Sequence, residues 1–403
     1  MKLKINVNQL KNIFICVLLF FAAMNFMAKF FYFCFAALFV ILLMQKKFLI
    51  NQTSLLYLLL GLLMAVYNRE EGILSMIRCF AFVSLYWVGY NFSLVRPSDR
   101  NSPLEYDFEN AQKCTLAVFV SISFGSFSHY LVNFIYNYGA DVGRNTNDIW
   151  TGSTMAATGQ AAISCLMIGL SVAMMLLPVK KKYRIVGIVC AVLIFAYDLV
   201  LACRTIPVMF FIILLAGLLF AYRTLRSSRD RFKLIAGIAF ILLLVAIVFL
   251  VDVGGIQEKI LGSNLFDRFN SDSTATSRSD AKMLYLSEWW RYPLGGLNLR
   301  SKYGYAHDLL LDGYDEYGIV GFLLLAAIVF FGIREIYRFS KYTKCSPELK
   351  MVVFCVYLSV LLEFCIEPIL TGMPWLFSCF CLINGCVKSL NIAAARQLKR
   401  STE

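Results

Sequence analysis

Apolar residues along this chain form long uninterrupted runs that are separated by short polar clusters. A run of about 17–25 apolar residues has the length of a helix that crosses a hydrocarbon core of about 30 Å. Such a run must be helical, because the bilayer core holds no water to pair with a free backbone N–H or C=O group. The pattern therefore predicts an all-α polytopic membrane protein with about twelve transmembrane helices. The predicted spans are 12–27, 30–45, 53–68, 72–94, 114–136, 152–178, 185–202, 205–222, 234–251, 316–334, 350–367 and 373–390.

The connections between these runs are short, except for one long segment at residues 252–315. This division predicts transmembrane helices 1–9 in residues 1–251 and transmembrane helices 10–12 in residues 316–390. A tail at residues 391–403 follows the last span. Long ordered loops in otherwise economical folds usually carry function, so 252–315 is the predicted catalytic region.

Composition and charge place the long loop outside the cell membrane. The chain is 60% hydrophobic and only 16% charged, whereas soluble domains carry about 25% charged residues. Most Lys and Arg residues fall in alternate connections, which is the distribution of cytoplasmic segments in membrane proteins. Both termini are therefore predicted to be cytoplasmic. The net charge of +13 reflects this topology, and it does not indicate a nucleic-acid partner.

Several charged residues are predicted within or beside the external ends of the spans. A charge at the bilayer centre costs about 2.5–3.5 kcal/mol on insertion scales, so such residues are functional candidates. The alternative is that they extend to the interface or pair with one another to hold helices together. Their common depth favours a polar cavity open to the outer leaflet, suited to a lipid with an anionic head group. These residues are Arg78, Asp198, Arg204, Glu363 and Glu367.

The long loop contains a predicted amphipathic helix. Ser277 and Asp280 have capping-box spacing, which places Arg278 in the first turn, where backbone N–H groups favour an anion. The apolar residues that follow predict a helix lying against the membrane interface. They are Met283, Leu284, Leu286, Trp289 and Trp290.

The segment from Arg278 to Gly321 resembles the O-antigen ligase and O-antigen polymerase superfamily of bacterial envelope glycosyltransferases. The family pattern runs from an arginine at a Trp-containing helix, through a Pro-Leu-x-Gly turn and a His-Asn pair, to Glu-x-Gly at the head of a span. An arginine at the outer end of a mid-chain span belongs to the same pattern. Asp308 stands where Asn is common, and Cys203 stands where Ser is common. The matching residues are Arg278, Trp289, Trp290, Pro293, Leu294, Gly295, Gly296, His307, Asp308, Glu316, Tyr317, Gly318, Gly321, Cys203, Arg204 and Thr205.

The resemblance implies glycan transfer from an undecaprenyl-pyrophosphate carrier to an acceptor hydroxyl, outside the bacterial inner membrane. Arg204 and Arg278, assisted by Arg78, are implied to bind the pyrophosphate, because a guanidinium group matches phosphate oxygens. His307 is implied to accept the acceptor's proton.

Four carboxylates are further candidates, either to support the reaction or to bind the acceptor sugar. No metal-ligand cluster is evident, so the expected chemistry is independent of metal and cofactor. The carboxylates are Asp308, Glu316, Glu363 and Glu367.

Three functions remain open from the sequence. A polymerase of lipid-linked repeat units is favoured, with a second repeat unit as acceptor and a chain-length regulator as a candidate partner. A ligase would pass the polymer to lipid A–core. A transporter of the same lipid-linked sugar would place its charges at the bilayer midplane and would show internal repeats, and neither feature is evident here.

The topology is testable with a reporter that is active only outside the cytoplasm. We expect activity for fusions at Asn145 and Asn270 and silence for fusions at Ser227 and Tyr342, because the Lys and Arg distribution places the last two inside. Reporter activity in whole cells, normalised to fusion protein, is the measurement. A cytoplasmic signal at Asn270 would remove the predicted catalytic loop from the external face.

Overall fold

The computed structural model divides the chain into two compact units. The first comprises Met1–His129, Arg278–Cys345 and Glu363–Glu403, and the second comprises Tyr130–Ser277 and Ser346–Leu362. The structure describes residues 7–28, 30–44, 49–73, 76, 79–95, 105–139, 145–176, 181–224, 229, 231, 236, 261–263, 265–266, 273–342 and 345–400.

Helices dominate the described residues. In chain order they are α1 (Val7–Ala23), α2 (Phe30–Met44), α3 (Gln52–Tyr67), α4 (Ala81–Asn91), α5 (Phe108–Tyr136), α6 (Ala157–Leu176), α7 (Lys181–Leu201), α8 (Thr205–Thr224), α9 (Ser273–Glu288), α10 (Asn298–Tyr303), α11 (Leu309–Ser340), α12 (Pro347–Phe364), α13 (Ile369–Gly372) and α14 (Pro374–Arg400). Two short antiparallel pairs accompany them: β1 (Leu94–Val95) with β2 (Glu105–Tyr106), and β3 (Asn145–Asn147) with β4 (Thr154–Ala156).

The core of the first unit is built on the contact between α4 and α14. A Cβ atom on Gly89 would collide with the carbonyl oxygen of Leu382, and one on Gly385 would collide with that of Tyr86. Glycine at both positions is what lets the two backbones approach so closely. The ring of Tyr86 also stacks on Tyr57 of α3 with centroids 4.4 Å apart.

The second unit packs α7, α8 and α12 around α6, whose residues are almost all buried. Gly169 allows the close approach of α12, because a Cβ atom there would lie 2.7 Å from the Cα of Val356. The rings of Phe220 and Phe354 stack with centroids 4.4 Å apart. Apolar side chains such as Val192 and Leu215 are exposed, at 59% and 63%, as expected of surfaces that face lipid.

The helices agree with an all-α membrane protein. Every predicted span except 234–251 overlaps a helix, although the overlap in 72–94 is limited to Ala81–Asn91. Residues 234–251 lie outside the described residues apart from residue 236. Among the described residues, six helices are long and apolar enough to cross a membrane, and shorter apolar helices occur at Ile13–Ala23, Phe30–Ile41 and Gln52–Tyr67. The total of about twelve spans stays a prediction.

One predicted helix start is wrong. The amphipathic helix α9 begins at Ser273 instead of at Ser277, so Arg278 lies beyond its first turn. The tenth predicted span, 316–334, lies within α11, which begins earlier, at Leu309, and has a break at Gly318, where φ is +68°. The N-terminal cap of α11 is Asp308, whose side chain accepts hydrogen bonds from the backbone N–H groups of Leu310 and Leu311.

Candidate functional site

His307 has an unusual backbone conformation immediately before α11. Its φ of +54° is left-handed, a region that non-glycine residues seldom occupy. The two residues on either side of it donate their backbone N–H groups to one carboxylate: Oδ1 of Asp312 accepts from the N–H of Ala306 at 2.9 Å, and Oδ2 accepts from the N–H of Asp308 at 3.1 Å. Strained residues that are held by their surroundings concentrate at functional sites. Asp312 thus acts as a clamp on the turn that carries the histidine.

The preceding loop is fixed by Tyr285 and Asp315. The hydroxyl of Tyr285 donates to the carbonyl of Gly304 at 2.6 Å, and burial raises the pKa of this phenol above its usual range. Asp315 accepts from the backbone N–H groups of Leu299 and Arg300 at 2.8 and 3.0 Å, which caps the short helix α10. Both contacts hold the chain ahead of His307 against the helices of the first unit.

The turn formed by residues 293–296 packs against the break in α11. The N–H of Ile319 donates to the carbonyl of Pro293 at 2.9 Å. A Cβ atom on Gly295 would lie 2.5 Å from the backbone nitrogen of Gly318, and one on Gly318 would collide with the carbonyl oxygen of Pro293. The two glycine motifs of the sequence therefore form one backbone junction, which joins the loop to the span.

Glu367 links His307 to Arg278. Its Oε2 lies 3.9 Å from Nδ1 of the histidine ring, and its Oε1 lies 3.1 Å from Nη2 of Arg278. Arg278 also donates through Nη1 to the carbonyl of Ile366 at 3.2 Å. The structure thus brings three of the predicted site residues together.

Lys282 adds a second cation that the sequence analysis missed. It lies one turn after Arg278 on α9, donates to the carbonyl of Cys365 at 2.7 Å and lies 3.5 Å from Oδ2 of Asp308. Its i+4 spacing from Arg278 was the available signal, because such residues share a helix face. The side chains of Arg278, Lys282 and His307 are 30%, 29% and 29% exposed, so a ligand can reach all three, whereas Glu367 is 8% exposed.

Glu363 lies at the end of α12 and is fully buried, and neither of its carboxylate oxygens has a hydrogen-bond partner among the described residues. The helix ends at Phe364. The predicted span 350–367 places both glutamates in one helix, whereas Glu367 lies in the turn that follows. The chain still keeps them adjacent, since the N–H of Glu367 donates to the carbonyl of Glu363 at 3.1 Å.

The remaining predicted residues lie elsewhere. Glu316 pairs with Arg300 at 3.2 Å and accepts a hydrogen bond from Tyr317. Arg204 belongs to the second unit, where it is the last residue of the turn between α7 and α8. In the same unit, Asp198 is fully buried, and its carbonyl accepts from the N–H of Ala202 at 2.8 Å. Arg78 lies outside the described residues.

The cluster of Arg278, Lys282, His307, Asp308 and Glu367 combines two partly exposed cations, an imidazole and two carboxylates. Such a set is suited to holding an anion beside a group that takes up a proton. Comparison with models of known protein families and with curated proteins gives no match. The resemblance to the O-antigen superfamily therefore depends on the residues of the sequence alone.

The clamp on His307 can be tested with a pair of aspartate variants. Asp312→Asn leaves one acceptor oxygen for two N–H groups, so we expect exchange of the backbone amides at 306–308 to accelerate about tenfold, corresponding to about 1.4 kcal/mol for a lost buried hydrogen bond. Asp315→Asn is the matched control and should accelerate exchange at residues 299–300 instead. Hydrogen–deuterium exchange of the detergent-purified protein measures both. Equal exchange at 306–308 in wild type and Asp312→Asn would show that the clamp is not needed.

Proposed function

We propose that this protein is a membrane glycosyltransferase. It transfers a glycan from undecaprenyl pyrophosphate to a sugar hydroxyl at the external face of the bacterial inner membrane. The observation that carries the proposal is the position of the constrained His307 beside Glu367, within a cluster that also holds Arg278 and Lys282. A further support is that the motif residues 293–296 and 318, which are distant in sequence, meet at one junction.

The reaction assigns one role to each member of the cluster. The acceptor hydroxyl oxygen attacks the anomeric carbon, the bond from that carbon to the pyrophosphate oxygen breaks, and the hydroxyl proton passes to His307. Nδ1 of the ring faces Glu367 at 3.9 Å, so Nε2 is the nitrogen assigned to the acceptor. Glu367 then stabilises the imidazolium that forms, as carboxylates do for catalytic histidines.

The leaving group carries the charge that the cations neutralise. Undecaprenyl pyrophosphate departs as an anion, and preorganised cations stabilise such developing charge. Arg278 and Lys282 are assigned this role, Arg204 is proposed through the resemblance, and Arg78 is proposed through its predicted place near the external end of a span. Asp308 is proposed to position Lys282, which lies 3.5 Å from it. Glu363 is buried, so it is proposed to act indirectly, through the adjacent Glu367.

The proposed acceptor is a second lipid-linked repeat unit, which makes the protein a polysaccharide polymerase. This choice rests on gene number, because a cell can carry several such polymerase genes for different polysaccharides and usually carries one ligase gene. An assay that offers both a lipid-linked repeat unit and lipid A–core to the purified protein separates the two. Turnover in detergent also separates either from a transporter, because transport requires two compartments.

His307 is the residue on which turnover should depend most. We expect His307→Ala and His307→Gln to reduce formation of glycan product by about 10²–10⁴, because general-base catalysis contributes about that factor. The measurement is product formed from lipid-linked oligosaccharide by protein in detergent. Lys302→Gln is the control, since Lys302 pairs with Glu288 in the same loop at 2.8 Å and should not affect turnover. Wild-type activity of His307→Ala would contradict the proposed base.

Arg278 and Glu367 should differ in their effect on donor binding, although they form one ion pair. We expect Arg278→Ala to weaken binding of undecaprenyl pyrophosphate about tenfold, with partial recovery in Arg278→Lys, which lacks the planar fork. Glu367→Gln should leave donor binding intact or strengthen it, because the guanidinium of Arg278 then loses its charged partner and is free to bind the donor. The same substitution should lower turnover, because Glu367 no longer stabilises the imidazolium of His307.

The measurement is equilibrium binding of the carrier lipid to detergent-purified protein. Equal loss of donor binding in Arg278→Ala and Glu367→Gln would mean that the pair only anchors α9. That result would contradict the proposed contact between Arg278 and the donor.

A further inference from the structure

A second charged cluster surrounds a buried carboxylate near the C-terminal end of α11. Glu335 is 6% exposed. Its Oε1 lies 2.8 Å from Nζ of Lys388 on α14, and 3.3 and 3.6 Å from the guanidinium groups of Arg338 and Arg334. Its Oε2 accepts a hydrogen bond from Nδ2 of Asn391 at 2.7 Å. Three cations thus share one oxygen of a single carboxylate.

This cluster has more positive charge than its carboxylate can neutralise, and it borders a cavity. The cavity has a volume of about 380 Å³, and its lining includes Glu335, Arg338, Lys341, Lys388 and Asn391. Three of these residues are cations, against one carboxylate. The Oδ1 atom of Asn391 is buried without a hydrogen-bond partner among the described residues. A ligand that brings negative charge and one hydroxyl group would satisfy both features.

The cavity lies at the depth of a lipid head group. The part of α11 that follows Gly318 rises about 33 Å at about 1.5 Å per residue, which is close to the thickness of a hydrocarbon core. The residues around Glu335 therefore reach a membrane interface. An exposed apolar face of the same helix leads toward them, formed by Phe330, Ile333 and Tyr337. At its end, Nζ of Lys341 lies 4.1 Å from the centre of the Tyr337 ring.

We propose that this cavity binds the phosphate head group of an anionic phospholipid, whose acyl chains lie along the exposed apolar face of α11. Arg338, Lys341 and Lys388 bind the phosphate, since basic side chains at the interface attract anionic lipids. Asn391 Oδ1 accepts from a head-group hydroxyl such as that of phosphatidylglycerol. This site is independent of the His307 cluster, and it does not require the proposed glycosyl transfer.

The test uses the full-length protein, purified in detergent and stripped of lipid. It is offered phosphatidylglycerol and phosphatidylcholine with identical acyl chains, and bound lipid is counted by native mass spectrometry. We expect wild type to prefer phosphatidylglycerol about tenfold. Arg338→Ala combined with Lys341→Ala should lose about tenfold in phosphatidylglycerol binding and keep its phosphatidylcholine binding. Lys388 is left intact in the test, because its removal would leave the buried Glu335 short of its closest cation.

The matched control replaces Arg396 and Lys399 with alanine, since both are exposed on α14 and neither lines the cavity. If the double variant does not fold, Lys341→Ala alone should lose about threefold, because its amine does not pair with Glu335. Equal loss in the control and in the double variant would overturn the proposal, since the effect would then be one of overall charge. Complete displacement of the lipid by inorganic phosphate would also overturn it and assign the cavity to the free anion.

Discussion

The carboxylate of Asp312 is the contact on which the geometry of the candidate site depends. It binds the backbone N–H groups on both sides of His307 and holds that residue at positive φ. A left-handed conformation in a residue with a Cβ atom costs about 1–3 kcal/mol, and such costs are offset only by surrounding contacts. Two neighbouring aspartates also accept backbone hydrogen bonds: Asp308 caps the start of α11, and Asp315, within α11, caps α10. The first turns of α11 therefore position the loop chiefly through backbone hydrogen bonds.

The apolar helices were predictable because the length of an apolar run is a direct physical requirement of the bilayer. The starts of α9 and α11 were not predictable, since they depend on polar side-chain and backbone contacts that a hydropathy pattern does not contain. At the site, Arg278, His307, Asp308 and Glu367 were recognisable from residue type and motif. Asp312 was not, because its partners are backbone groups whose proximity appears only after folding, and Lys282 was missed although its i+4 spacing from Arg278 was a signal in the sequence. Glu316 was assigned to the site, yet it pairs with Arg300.

One helix, α11, has a cluster of charged residues near each of its two ends. At its start, acidic side chains accept backbone hydrogen bonds and place an imidazole in the loop before it. Near its other end, the buried Glu335 forms ion pairs with basic residues of α11 and α14. The two ends of α11 therefore differ in charge, with acidic residues at the start and basic residues near the end. This is the distribution that the helix dipole favours.

The exposed apolar side chains on and just after α9 limit the fragments in which the loop can be studied. Met283 and Leu286 of α9 and Trp290 just after it are 66%, 51% and 65% exposed, and Arg278 and Lys282 of the same helix contact the turn at residues 365–367. A peptide spanning only the loop would lose the partners of Arg278 and Lys282 and would present this apolar surface to water. We expect such a fragment to aggregate instead of folding. Structural and enzymatic work on this region therefore requires the intact chain in a lipid or detergent environment.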